Sequence, residues 1–166
     1  SVSAFCNAGF GLYTDNLVPF ASSVPVNVTV ASLIVAGGLG FPVLVELLRP
    51  AAWRRGPRAV LRGLSVHARL ALITSGVLIA GGALLFLVLE WSGALRPLSV
   101  PARGLAAVFQ SVTFRTAGFN TVDFGHLHPA TLMSAVALMF IGGSPAGPAG
   151  GIKTTTLAVL LLSLRA

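Results

Sequence analysis

Gln110-Ser111-Val112-Thr113-Phe114-Arg115-Thr116-Ala117-Gly118-Phe119-Asn120-Thr121-Val122-Asp123 is the stretch whose reading decides the fold. Ala102 to Phe114, an apolar run with Pro101 where a first helical turn accepts proline, leads into it. A helix of ~13 residues reaches only ~20 Å, short of the ~30 Å hydrocarbon core of a bilayer. It runs straight into Thr116-Ala117-Gly118-Phe119-Asn120, small residues around a glycine that can take backbone angles closed to the others. A half-membrane helix ending in a glycine loop reads as a re-entrant pore helix. An imperfect copy lies near the start, where Phe5-Cys6-Asn7-Ala8-Gly9-Phe10 matches Phe114-Arg115-Thr116-Ala117-Gly118-Phe119 at Phe, Ala, Gly and Phe. Two such loops, each followed by an apolar segment, suggest a pore lined by repeated loops.

Composition places these loops in a membrane. Of 166 residues, 55% are hydrophobic and 9% charged, against about 25% charged in a soluble domain. The chain therefore reads as an all-α integral membrane protein with up to three crossings of ~20 residues each. The net charge of +7 does not point to nucleic acid. The arginines cluster in one loop, and Trp53 is the only aromatic residue among them. The single cysteine, Cys6, excludes an internal disulfide and a cysteine-based metal cluster, and is expected to be a small space-filling residue. The chain begins without methionine, inside what reads as a helix leading into a loop, and is expected to be a piece of a longer protein.

Taken in order, residues 1–48 hold the first glycine loop and a span. Val26 to Leu48 is expected to be one full span, with Gly37-Gly38-Leu39-Gly40-Phe41-Pro42 within it read as a packing face and a functional kink as the minority reading, and Glu46 near its end at the interface. Residues 49–69 form a basic linker with Arg49, Arg54, Arg55, Arg58, Arg62 and Arg69 and no acid. The positive-inside rule puts it in the cytoplasm and both glycine loops outside. A docking surface for an acidic cytosolic partner is the minority reading of that linker. Residues 70–166 give a span from Leu70 to Leu89, the re-entrant helix with its loop, and a broken span. In the first of these, Gly76, Gly81 and Gly82 are expected at packing positions, with Glu90 and Trp91 at the interface. His126 and His128 lack a third metal ligand nearby and read as exposed residues.

The last span starts near Pro129 and runs apolar to Ile141. Gly142-Gly143-Ser144-Pro145-Ala146-Gly147-Pro148-Ala149-Gly150-Gly151 follows, with five glycines and two prolines, which cannot be continuous helix. Because ~13 helical residues rise only ~20 Å, the break falls inside the membrane. Unpaired backbone there is tolerated only against protein or a water-filled cavity. Lys153, just beyond the break, is either an electrostatic obstacle in a pore or a residue snorkelling to the cytoplasmic interface.

The loops offer neutral hard oxygens: backbone carbonyls, the hydroxyls of Thr116 and Thr121, and the amides of Asn7 and Asn120. A row of carbonyls can replace the water shell of a monovalent cation without trapping it, whereas a divalent ion would want carboxylates. Asp15 and Asp123 would concentrate cations at an outer mouth. Arg115 is expected to point away from the axis, toward carbonyls or an acid such as Asp123, and to brace the loop.

Ser3 to Phe10, Phe109 to Asn120, Gly142-Gly143-Ser144-Pro145 and Ala149 to Thr155, in that order, resemble the membrane subunit of the Trk/Ktr potassium-uptake family. The resemblance covers essentially the whole chain. It implies span–pore-loop–span repeats of a potassium-channel-like transporter, of which this chain holds the pore loop and second span of repeat two and all of repeat three. It further implies that Asn7, Ala8, Gly9 and Phe10, with Thr116, Ala117, Gly118, Phe119 and Asn120, form an ion-selectivity filter. Potassium would be held by the backbone carbonyls of Asn7, Ala8, Thr116 and Ala117. Gly142, Gly143, Ser144, Pro145, Gly147, Gly150, Gly151 and Lys153 would form a gating loop beneath that filter. The partners implied are the remaining repeats, a homodimer mate, a cytosolic nucleotide-binding ring and the bilayer of the cell membrane. Nothing points to a covalent cofactor, and coupling to sodium or protons is open. Two departures from the family pattern stand out: Gly11 replaces the polar residue that Asn120 supplies after Gly-Phe, and Ala146-Gly147-Pro148 stands where relatives tend to have Gly-Ser-Thr.

The expectation is potassium uptake without enzymatic chemistry, since the acids and histidines form no catalytic cluster. The alternative is a non-conducting membrane scaffold in which the same glycines only pack helices.

Overall fold

A computed structural model describes residues 1–49, 60 and 63–164. Arg54, Arg55, Arg58 and Arg62, most of the basic linker, lie outside the described residues. The described chain is helical, with one isolated parallel bridge between Ile141 and Ile152. We number the helices α1 (Val2–Phe5), α2 (Val24–Leu39), α3 (Phe41–Leu47), α4 (Val66–Glu90), α5 (Val100–Thr113), α6 (Pro129–Phe140) and α7 (Thr154–Ser163).

The sorting of residues on α4 is that of a helix in lipid. Its buried face runs Ala68, Ala71, Ser75, Gly82, Ala83, Phe86 and Glu90, mostly small or polar. Its outward face carries Ile73, Val77, Leu84 and Val88, each about two-thirds exposed. Large apolar groups outside and small ones inside invert the pattern of a soluble protein. In lipid no hydrophobic force drives helices together, and small residues instead let backbones approach closely. With 25 residues, α4 spans ~37 Å at 1.5 Å per residue, enough to cross a bilayer. Among the described residues it is the one single helix that is long and apolar enough to do so.

Gly82 is a packing residue, because a Cβ there would lie 2.5 Å from the Ser111 hydroxyl and 2.9 Å from a Leu138 methyl. Gly76 and Gly81, expected to do the same, have nothing within 4 Å. The sequence cannot separate these three glycines, because which face packs depends on α5 and α6.

The expected continuous span from Val26 to Leu48 is instead two helices, α2 and α3, bent by 108° at a break. Gly40 sits at the bend with φ +80, a left-handed conformation that glycine takes without strain, and Pro42 follows in the first turn of α3. The bend makes room for residues from the far end of the chain. A Cβ on Gly40 would overlap the Pro145 carbonyl, and one on Gly147 would lie 3.0 Å from the Gly37 carbonyl. Gly37 also lets Phe5 of α1 lie directly on α2. The glycines of this segment therefore pack, as expected, and one of them also bends the chain.

Both expected interfacial acids join elements together. Glu46 of α3 accepts from the Ser65 amide and hydroxyl, each at 2.8 Å, and Ser65 in turn caps the start of α4. Glu90 is 1% exposed. Its carboxylate accepts from the Ala94 amide at 3.1 Å, the His128 amide at 2.8 Å and the Thr131 hydroxyl at 2.6 Å. It thus ends α4 and caps α6, where an anion is favoured by unpaired amides and the helix dipole. Arg103 braces the segment between α4 and α5, donating to the carbonyls of Trp91, Arg96 and Leu98 and lying 4.9 Å from the centre of the Trp91 ring.

Replacing Glu90 by Ala strands two buried donors at the α6 terminus, at a cost of about 1–3 kcal/mol or more. The intact parent protein carrying Glu90→Ala is expected to unfold at a clearly lower temperature in detergent, with Glu90→Gln intermediate. An unchanged midpoint for Glu90→Ala would contradict the capping role.

Candidate functional site: two glycine loops over a broken helix

The two loops share left-handed backbone at the same two positions. Asn7 and Thr116, at equivalent positions, both take positive φ (49 and 68), and so do Gly9 and Gly118 (71 and 79). Ala8 and Ala117 between them are not among the positive-φ residues. An alternation of left-handed and ordinary residues turns successive amides to one side and successive carbonyls to the other. For Asn7 and Thr116, which carry a Cβ, the conformation is uncommon and needs support from their surroundings.

That support comes from hydroxyls in the helices leading into each loop. Thr113, 2% exposed, accepts from the Phe119 amide at 2.8 Å and donates to the Phe119 carbonyl at 2.6 Å. In the first loop Ser3 accepts from the Phe10 amide at 2.9 Å. Ser3 aligns with Val112, one position away from Thr113, so the two loops reach the same bond by slightly different routes. Sequence reading missed both residues. The available signal was a hydroxyl residue near the end of each helix leading into a glycine loop.

The loops meet at their glycines. A Cβ on Gly9 would lie 2.8 Å from the Gly118 Cα and 2.9 Å from the Ala117 carbonyl oxygen, and one on Gly118 would lie 3.1 Å from the Gly9 Cα. The contact is backbone against backbone. Leu17 donates to the Asn120 carbonyl at 3.1 Å and the Asn16 amide approaches the Gly118 carbonyl at 3.5 Å, adding cross-links between the two segments. Phe119 is buried at 5% exposure, whereas its counterpart Phe10 is 81% exposed.

Of the loop side chains expected to offer oxygens, Thr116, Asn120 and Asn7 are used to hold the frame. Thr116 accepts from the Gly150 amide at 3.1 Å. Asn120 donates to the Val122 carbonyl. With its nitrogen facing the carbonyls of Ala4 and Ile34, the Asn7 amide donates to both at 3.2 Å. The Thr121 hydroxyl is buried without a partner. Among the described hydrogen bonds none is accepted by the backbone carbonyls of Asn7, Ala8, Thr116 or Ala117. Ala8 is exposed and Asn7 and Thr116 are half-buried, while Ala117 is fully buried with its carbonyl against Gly9. Cys6, expected to fill space, is exposed.

Residues 142–151 interrupt the apolar helices α6 and α7 and close on themselves. Gly142 donates to the Ile152 carbonyl at 3.0 Å and Ile152 to the Phe140 carbonyl at 2.9 Å. Ser144 and Thr154 share a hydroxyl–hydroxyl bond at 2.9 Å. No residue with a Cβ fits at Gly142, where it would overlap the Gly150 carbonyl. The Lys153 ammonium donates back into the loop, to the Ala149 carbonyl at 2.7 Å. Outward ties go to α2, where Ser144 donates to the Gly38 carbonyl at 2.7 Å, and to the second glycine loop through Thr116 and Arg115. The Arg115 guanidinium reaches the Gly142 carbonyl at 3.0 Å and the Ser75 hydroxyl at 3.2 Å. Of its two expected kinds of partner, it takes a carbonyl and not Asp123.

Asp15 and Asp123 do share one open cavity of about 500 Å³, together with Thr14, Asn16 and Asn120. Asp123 is engaged with the Gly125 amide at 2.9 Å and lies 3.7 Å from His126. His126 and His128 are exposed as expected, and His128 also caps α6. Among the described residues no group of three His, Cys, Asp or Glu could hold a metal ion.

The described chain is an all-α membrane fold in which paired glycine loops are tied to a broken helix. The family model described as TrkH, cation transport protein, matches residues 1–166. The chain belongs to that family. It is 38% identical to the potassium/sodium uptake protein NtpJ of Enterococcus hirae over 100% of its own length and 35% of that protein. It is also 38% identical to the Ktr system potassium uptake protein B of Bacillus subtilis, over 99% of this chain and 36% of the relative. Among solved structures, the potassium transporter TrkH from Vibrio parahaemolyticus superposes with a TM-score of 0.75 at 20% identity, over 96% of this chain and 32% of that one. The chain thus spans about a third of the length of these relatives. A transport family agrees with the expectation that the chain is not an enzyme.

Thr113→Val keeps the shape of the side chain and removes both bonds to Phe119. Leaving that buried amide and carbonyl unpaired is expected to cost at least about 1–3 kcal/mol, read as a lower thermal midpoint of the intact parent. A midpoint equal to the parent's would show that the Thr113 hydroxyl does not hold the loop.

Proposed function

We propose that the chain is part of a potassium-uptake pathway, contributing two of the segments that line a selectivity filter. The observation that carries the reading is the matched backbone of Asn7–Gly9 and Thr116–Gly118, left-handed at the same two positions and joined glycine to glycine. The side chains of Asn7, Thr116 and Asn120 are committed to the frame while the carbonyls of Asn7, Ala8, Thr116 and Ala117 accept no described hydrogen bond. Such oxygens suit a weakly hydrated monovalent cation, which must bind well enough to enter and loosely enough to leave. The Ala117 carbonyl faces Gly9, so it joins this set only with the loops set further apart, as the further repeats of a complete pore would hold them.

The relatives' names support the ion: two bacterial relatives are named for potassium uptake, one of them for potassium and sodium. Sodium is therefore the first candidate for a second or coupled ion. In this reading residues 1–48 and 70–166 belong to successive span–loop–span repeats. The basic linker faces the cytoplasm and both loops face outward. The 142–151 loop is the gate beneath the filter, and the full-length protein works as a homodimer with a cytosolic nucleotide-binding ring.

Growth of a potassium-uptake-deficient bacterial strain at limiting potassium tests the filter. The intact parent gene is expected to rescue growth. Gly118→Ser, whose side chain would strike the Gly9 backbone, is expected to reach the membrane with potassium-over-sodium preference reduced on the order of tenfold. Equal rescue with unchanged preference would make Gly118 a packing residue. Failure of the inserted parent to rescue would favour a non-conducting scaffold. Shortening residues 142–151 is expected to raise potassium flux without changing ion preference, and unchanged flux in an inserted protein would argue against a gate there.

A further inference from the structure

Arg115 is 8% exposed, and its described polar partners are one hydroxyl and one backbone carbonyl. The Ser75 hydroxyl lies on α4 and the Gly142 carbonyl is the first of the break. The described acids are placed elsewhere: Glu46 on Ser65, Glu90 on α6, Asp123 on Gly125, and Asp15 on the outer cavity. The Arg115 Nε has no partner. Arg115 also lines a small pocket with Asn7, Ser75, Gly143 and Ala149. The guanidinium thus stands where both glycine loops, α4 and the broken helix come together.

We infer that Arg115 is a positioning residue that holds the 142–151 loop in its closed place under the second glycine loop. The inference rests on reading that loop as the gate. A buried guanidinium needs an acceptor at every turn. Moving Gly142 away would leave the cation with a single hydroxyl, so the bond resists displacement of the loop. The neighbouring Thr116–Gly150 bond makes the same connection from the next residue. The filter loop and the break are therefore joined at two adjacent positions, and the first of these is the only one made by a charge. The first glycine loop has Cys6 where the second has Arg115. Of the two loops, the one that carries the arginine is the one followed by the helix interrupted at 142–151.

The test uses the intact parent protein with Arg115→Lys, which keeps charge and stem but lacks the planar fork, beside Arg115→Met. Potassium flux and potassium/sodium preference are measured in vesicles. In purified protein otherwise free of cysteine, the rate at which a small thiol reagent modifies Ala149→Cys is measured as well, since Ala149 is 3% exposed in the closed loop. Loss of one hydrogen bond to a charged group is expected to shift the loop about tenfold or more toward release. Modification at position 149 and flux should both rise by that order in Arg115→Lys while ion preference stays that of the parent. Unchanged modification in an inserted Arg115→Lys protein would overturn the inference. So would altered preference without altered modification, which would make Arg115 a brace of the filter alone. Failure of Arg115→Lys to insert would also overturn it, placing the residue in folding. If the parent carries no potassium at all, the potassium reading fails, and the modification rate still reports on the loop.

Discussion

Backbone that departs from helix inside a membrane must find its hydrogen bonds in protein, since lipid supplies none. Most of this structure is arranged around that constraint. The Phe119 peptide takes both of its bonds from one hydroxyl, Thr113. Ser144 takes the Gly38 carbonyl that the bend of α2 leaves within reach. Gly142 and Ile152 pair across the break, and Gly150 finds Thr116. The carbonyls of Asn7, Ala8, Thr116 and Ala117 accept no described hydrogen bond, and an ion path is one place where such carbonyls are useful.

The same constraint explains the weight placed on glycine and alanine. Backbone can serve as partner to backbone only where nothing intervenes. The contacts Gly9–Gly118, Gly37–Phe5, Gly40–Pro145 and Gly142–Gly150 each leave no room for a methyl group. Around them the buried helix faces are lined by Ala4, Ala68, Ala71, Ala102, Ala106 and Ala107, so close approach extends from the loops into the helices. Charged groups are then spent at joints: Glu90 between α4 and α6, Glu46 at the start of α4, and Arg115 between the second loop and the break.

Much of this was legible in the residues. The paired loops could be read because a glycine between small residues, repeated before a second apolar segment, is more than ordinary helix-ending turns produce. The break at 142–151 could be read because five glycines and two prolines cannot continue a helix. The bend at Gly40 was legible only as the minority reading of its stretch, a kink set beside helix packing. Glycine is common in membrane helices, and Gly40 differs from Gly76 or Gly81 only in what lies beside it, a carbonyl more than a hundred residues further along the chain. Glu90 was expected at the interface for a related reason: its three donors come from the following linker and from α6, a contact no local pattern encodes.

The central claim is that the carbonyls of the two loops face a monovalent cation. Crystals of the intact parent protein soaked in rubidium or thallium, which scatter anomalously where potassium does not stand out, test it directly. The account predicts an anomalous peak bounded by backbone carbonyls of both Asn7–Gly9 and Thr116–Gly118. Ions bound elsewhere, with both loops bare at saturating salt, would contradict it.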